Sequence, residues 1–152
     1  KRTEGENVMT ILTLDSSVII AALREQEEKH GVCIRLLEMV KDAEYFAVEP
    51  YTVLVEVVAA IKRRTGSEQL AEKVRNNLQE IDSIYFLDLE SNRANEASNL
   101  TKRFGMRGMD AIVVQIAREF NTTLVSLDSE MIIKAKSTVK IKSVDALVQL
   151  AL

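Results

Sequence analysis

The sequence predicts a three-layer α/β/α domain on a parallel sheet of about five strands, in the order 3-2-1-4-5. Three observations lead there. Short apolar, β-branched runs alternate with longer stretches of helical periodicity from residue 10 to residue 150. Strands separated by helices take right-handed crossovers that align them in parallel. One proline and five glycines in 152 residues favour long helices and short connections. Finally, the first and fourth strand-like runs stop on aspartates, Asp15 and Asp128. In this order those strands lie side by side, and a crevice opens at their C-terminal ends.

Each element follows from its local pattern. Residues 10–14 read as a buried strand, and the apolar run from Val18 to Leu23 opens a helix over 16–24. A charged break at 25–29 precedes a second helix over 32–40, with Ile34, Leu37 and Val40 on one face. Residues 44–48 read as strand two. Pro50 suits the first turn of the next helix, where its missing N–H costs nothing. That helix, 50–64, carries only Thr52 and Glu56 as polar residues between Tyr51 and Ile61, the pattern of a buried helix. Lys62, Arg63 and Arg64 read as its exposed C-terminal end, and Gly66 stops it. A polar amphipathic helix over 67–81 follows, then strand three at 83–87 and a helix over 91–104. Gly105 and Gly108 bracket a turn before a helix over 109–120. Strand four covers 122–128, a short helix 130–135, an edge strand 139–141 and a last helix 144–150.

Composition bounds the chemistry. The chain is 47% hydrophobic and 28% charged, with a formal net charge of −3, and reads as a mobile segment over 1–9 followed by one domain over 10–152. The single cysteine excludes an internal disulfide, and Cys33 sits among core-like residues. The single histidine, His30, lies in a charged run and is expected on the solvated surface. The chemistry therefore lacks a histidine acid–base pair and a cysteine nucleophile. No secretory signal or membrane-length apolar run is visible, so a cytoplasmic protein is expected.

Four carboxylates stand in apolar surroundings. Asp15 and Asp128 end strands one and four. Glu56 is the only charge within its apolar helix, and Asp110 is the only one between Gly108 and Ala117. Isolated buried carboxylates would protonate, and four together repel unless a positive charge lies among them. No lysine or arginine is embedded in the same segments. A hard divalent cation with oxygen ligands, Mg²⁺ or Mn²⁺, satisfies this pattern. Separate roles stay open: Asp15 and Asp128 as helix caps, and Asp110 beside a helix dipole. Asp88, at the far strand, and Asp145, as a cap of the last helix, are set aside.

The ordered set L-D-S-S-V-I-I-A-A-L at 14–23, P-x₅-E at 50–56, M-D-A-I-V-V-Q-I-A at 109–117 and L-V-S-L-D-S-E at 124–130 resembles a PIN domain. More narrowly, it is similar to the small VapC-like toxins. The resemblance implies metal-dependent hydrolysis of RNA phosphodiesters with one or two Mg²⁺ or Mn²⁺ ions. The family's acidic positions fall on Asp15, Glu56, Asp110 and Asp128, with a further acidic position at Glu130. Ser16 and Ser126 stand where the family often has Thr or Asn, and can orient a ligand or a bridging water. The resemblance also implies a homodimer and an antitoxin protein that covers the crevice. Lys102, Arg103 and Arg107 are candidates to contact the RNA backbone, in single-stranded or loop regions.

Other readings are a PIN-fold module that binds RNA or protein without cleavage, and a housekeeping RNA-processing nuclease. A receiver domain would need paired acids after strand one, and an aspartate-nucleophile phosphatase would need Asp-x-Asp. Asp15-Ser16-Ser17 supplies neither.

Overall fold

A computed structural model of the protein describes residues 10–150. The segment expected to be mobile, 1–9, and residues 151–152 lie outside the described residues. The chain runs β1 (Ile11–Leu14), α1 (Ser16–Leu23), α2 (His30–Lys41), β2 (Phe46–Pro50), α3 (Tyr51–Thr65), α4 (Glu68–Gln79) and β3 (Ile84–Leu87). It continues through α5 (Ser91–Phe104), α6 (Gly108–Phe120), β4 (Thr123–Val125), α7 (Ser129–Ala135), β5 (Lys140–Ile141) and α8 (Val144–Leu150). All five strands are parallel, in the order β3-β2-β1-β4-β5, which is the predicted order, and helices flank the sheet. β1 is central. Leu12 pairs with Ala47 of β2 on one side and Thr123 of β4 on the other, and Leu14 pairs with Val125.

Leu12, Leu14, Ala47, Leu124 and Val125 are buried at the middle of the sheet. α6 lies across β1, β2 and β4, with α5 packed against it. Its residues from Ala111 to Ala117 are all buried, so the middle of α6 is enclosed all round. The sequence pattern assigns that place to 50–64, and the structure corrects it. α3 buries Val53, Leu54, Val57, Ala60 and Ile61, while Val55 is 66% exposed. A run of apolar residues fixes affinity for a core, but neighbouring elements decide which faces are covered.

Local chemistry sets the ends of the elements. Gly66 ends α3 at φ 71°, donating its N–H to Lys62 O at 2.8 Å, a left-handed conformation that glycine takes without a Cβ clash. Ser67 caps α4 through a bond from Leu70 N to its Oγ at 3.0 Å. Ser143 caps α8, accepting from Ala146 N at 3.1 Å, in the place the sequence reading gave to Asp145. β2 runs two residues later than its sequence pattern, so that Glu49 and Pro50 belong to the strand. His30 is not simply solvated: its Nδ1 makes a 2.8 Å hydrogen bond with Ala21 O, tying the start of α2 to α1. Cys33 is buried in the core, and burial, with a smaller push from Asp145, raises its thiol to about 11. Among the described residues no helix is long and apolar enough to cross a membrane.

Candidate active site

The four apolar-context acids reach one cavity of about 600 Å³ at the C-terminal ends of β1 and β4. Asp15, Glu56, Asp110 and Asp128 all line it, together with Ser16, Ser17 and Arg107. Each acid comes from a different element, so the cavity depends on the sheet order more than on any local motif.

Asp15 leaves β1 with its backbone fixed. Its N–H donates to Val125 O at 2.8 Å, locking the end of β1 onto β4. The residue is 6% exposed. Two hydroxyls donate to the same oxygen, Oδ2: Ser17 Oγ at 2.6 Å and Ser126 Oγ at 3.0 Å. Those hydroxyls in turn accept backbone amides, Ser17 Oγ from Leu127 N at 3.1 Å and Ser126 Oγ from Asp128 N at 3.0 Å. The two serines thus orient Asp15 and bind the segment that carries Asp128. Asp15 sits at the N-cap position of α1 but makes no side-chain cap bond, so capping does not account for it.

Asp128 does cap. Its Oδ1 accepts from Glu130 N at 3.0 Å and Met131 N at 3.3 Å, opening α7. Its Oδ2 remains for the cavity and accepts from the Arg107 guanidinium. Asp110 stands in the first turn of α6, where the helix dipole favours a negative charge. Its Oδ2 accepts from Arg107 Nε at 3.1 Å. Burial raises the Asp110 carboxyl, Arg107 opposes that shift, and the charges of Asp15 and Asp128 add to it. Glu56 projects from the middle of α3 and is half-buried. Burial raises its carboxyl first and the charge of Asp15 next; a Ser16 hydrogen bond opposes this, and Asp110 adds a smaller push. Each of these two acids is less easily ionised, chiefly through burial and then through the other acids nearby.

Among the described residues no group of three or more His, Cys, Asp or Glu side chains stands at metal-holding spacing. A positive charge already stands among the acids: the Arg107 side chain bridges Asp110 and Asp128 and lies 3.7 Å from Glu130 Oε2. The donor set nevertheless fits a hard cation. Four carboxylates and two serine hydroxyls offer oxygen only, and burial, with a smaller part from neighbouring acids, makes Glu56 and Asp110 harder to ionise, a cost that a divalent ion would offset. Asp15, Glu56, Asp110 and Asp128 are the residues that could hold it.

The surrounding positions divide. Ser16 lines the cavity and Ser126 supports Asp15 from below. Glu130 is outside the lining, more than half exposed, and pairs with Lys134 at 3.6 Å. Of the three basic candidates only Arg107 lines the cavity. Lys102 and Arg103 sit on the last turn of α5, where the Arg103 guanidinium lies 5.3 Å from the Phe104 ring centroid. Two of the lining groups were not assigned to the site by the sequence reading. Arg64, read there as plain surface, lines the cavity with Glu27, to which it is paired at 3.3 Å. Arg64 follows Glu56 by eight residues, about two helical turns, which keeps it on the same side of α3. Ser17 carried a signal too, as a hydroxyl two residues beyond an aspartate.

Residues 12–137 match the family model described as the PIN domain. No curated protein matches the chain. Several solved structures share the fold. VapC20 of Mycobacterium tuberculosis, a sarcin–ricin loop cleaving toxin, is 17% identical with a TM-score of 0.71, covering 88% of this chain and 99% of that one. VapBC2 of Rickettsia felis, bound to a DNA fragment from its promoter, is 13% identical with a TM-score of 0.65, covering 88% and 98%. A toxin–antitoxin complex from Klebsiella pneumoniae is 12% identical with a TM-score of 0.58, covering 81% and 89%.

Proposed function

The chain belongs to the PIN domain family, and from that premise we propose that it is a divalent-metal-dependent endoribonuclease, the toxin half of a toxin–antitoxin pair. One observation carries the reading: four acids from four separate elements line a single cavity where the C-terminal ends of β1 and β4 meet. The VapC20 toxin and the toxin–antitoxin complex among the similar structures support the substrate class and the partner.

The residues divide the work. Asp15, Asp110 and Asp128 hold the cation, one or two of Mg²⁺ or Mn²⁺, and Glu56 holds it directly or orients the attacking water. When bound, the ion supplies positive charge to a phosphoryl oxygen and makes a water more acidic. Ser17 and Ser126 fix the Asp15 carboxylate by bonding one of its oxygens. Ser16 shares the cavity lining with Glu56 and favours its ionised form. Arg107, beside the acids it joins, contacts a phosphate on one rim. Arg64 does so on the other. A strand of RNA laid between them passes over the carboxylates with its bases free, which favours single-stranded or loop substrates. The protein acts in the cytoplasm as a homodimer, with an antitoxin over the crevice.

The test is cleavage of a mixed, structured RNA with Mg²⁺ or Mn²⁺ and with EDTA. Cleavage with either ion and none in EDTA is the expected result. A folded protein that binds Mn²⁺ but cuts no RNA would sink the nuclease reading. That outcome would favour a module that binds RNA or protein without cutting, a reading that draws on Arg107 tying two of the acids together. Processing of defined RNAs with no toxicity on expression would instead mark a housekeeping nuclease. A monomeric mass by light scattering at micromolar concentration would defeat the dimer.

The rim has its own consequence. Arg64→Ala is expected to raise KM for RNA about threefold at low salt, leave kcat unchanged, and reduce the salt slope of binding by about 1. Glu27→Gln, which frees Arg64 from its pair, should lower KM. Steady-state cleavage at several ionic strengths reads both, and an unchanged KM in both variants would remove Arg64 from the RNA path.

A further inference from the structure

We infer that Glu49 is a positioning residue for Asp15: its carboxyl holds the end of β1 and thereby sets where the Asp15 carboxylate stands. The inference rests on the nuclease reading for its functional meaning, and on geometry for the positioning itself.

Glu49 lies in β2 and is 0% exposed. Its Oε2 accepts from Leu14 N at 2.6 Å, and its Oε1 has no partner among the described residues. Leu14 is the residue before Asp15. The β1–β2 pairs are Ile11 with Phe46 and Leu12 with Ala47. Beyond them side chains join the two strands. Thr13 Oγ1 donates to Val48 O at 2.9 Å, and the Glu49 carboxyl stands in for a main-chain acceptor at Leu14. On the opposite side of β1, Asp15 N donates to Val125 O at 2.8 Å. Consecutive amides are therefore gripped from opposite neighbours, Leu14 by β2 and Asp15 by β4. A strand end held on both sides has little freedom to turn the side chain it presents.

The group is costly where it stands. A sealed carboxyl with an unpartnered oxygen destabilises a fold, and burial pushes this one well above the ordinary carboxylate range. An apolar residue would pack a central strand at less cost. Local rules are broken in this way where function needs the exception.

The experiment compares Glu49→Gln, Glu49→Asp and Glu49→Ala. Mn²⁺ affinity is read by titration calorimetry, RNA cleavage as kcat and KM, and exchange of the Leu14 and Asp15 amides by NMR. Glu49→Asp is one methylene short of Leu14 N, and Glu49→Ala removes the acceptor. Both should weaken Mn²⁺ binding about tenfold, lower kcat with KM unchanged, and speed exchange at Leu14. Glu49→Gln keeps an acceptor oxygen and should retain all three properties. If Glu49→Ala does not fold, the Asp and Gln variants carry the comparison, since both keep most of the side-chain bulk. Variants that change melting temperature alone would overturn the inference, as would a Gln variant that behaves like Asp. A wild type that neither binds Mn²⁺ nor cleaves RNA defeats the nuclease reading, and Leu14 exchange in the variants still decides the positioning.

Discussion

Asp15→Asn is expected to cost at least about 10³-fold in kcat, or about 4 kcal/mol of transition-state stabilisation, with the fold intact. Asparagine keeps the size of the side chain, and its carbonyl oxygen can still accept from Ser17 and Ser126, which hold Oδ2 at 2.6 and 3.0 Å. The charge and one acceptor oxygen are lost. The backbone bond from residue 15 to Val125 O is untouched. Single-turnover cleavage measures the effect, and circular dichroism with a melting curve establishes that the variant is folded. Activity within tenfold of wild type would remove Asp15 from the metal-holding set.

The second large effect is on stability. With free Mn²⁺ at a hundred times its Kd, the folded state should gain about 2.7 kcal/mol, a rise of roughly 5–10 °C in Tm for a domain of this size. The gain should depend on pH in a definite direction. Glu56 and Asp110 are both raised in the fold, chiefly by burial and then, apart from the opposing bonds of Ser16 and Arg107, by neighbouring acids. A raised acid binds its proton more tightly folded than unfolded. Its favourable contribution is present below the ordinary values of 4.5 for Glu56 and 3.8 for Asp110, and it is lost as pH rises towards the raised folded values. The metal-free protein therefore loses this contribution on going from acid to neutral pH. Mn²⁺ binds the ionised acids, so its stabilisation should grow over the same interval. Melting curves between pH 4 and 8, with Mn²⁺ and with EDTA, test the sign. In Asp15→Asn the Mn²⁺-dependent rise should shrink to a small remainder. A rise equal to wild type would place the ion elsewhere.

Much of this was legible in the chain itself, for physical reasons. Strand order followed from apolar runs separated by helices, because crossover geometry leaves few alternatives. The four acids stood out because each is a charge inside an apolar segment, and their meeting follows from the strand order. Burial by face was less legible. The 50–64 segment is as apolar as a buried helix, yet Val55 is 66% exposed, because apolarity does not specify which neighbours arrive. Contacts across the chain were hidden altogether. Ser126 and Asp15 are 111 residues apart, and the pair of Arg64 with Glu27 joins residues 37 apart. Glu49 was the deepest concealment. The sequence reading ended strand two at residue 48, one short of Glu49, and only the pairing of β2 with β1 and β3 puts it inside.

The core also holds a practical opportunity in Cys33. It is the chain's only cysteine, and burial raises its thiol to about 11. Near neutral pH almost none of it is thiolate, and no reagent reaches it without opening the fold. A cysteine introduced at an exposed position, for instance by Lys136→Cys, would be the sole group taking a maleimide dye. The domain can thus carry a single fluorescent reporter with every native residue around the acids left in place.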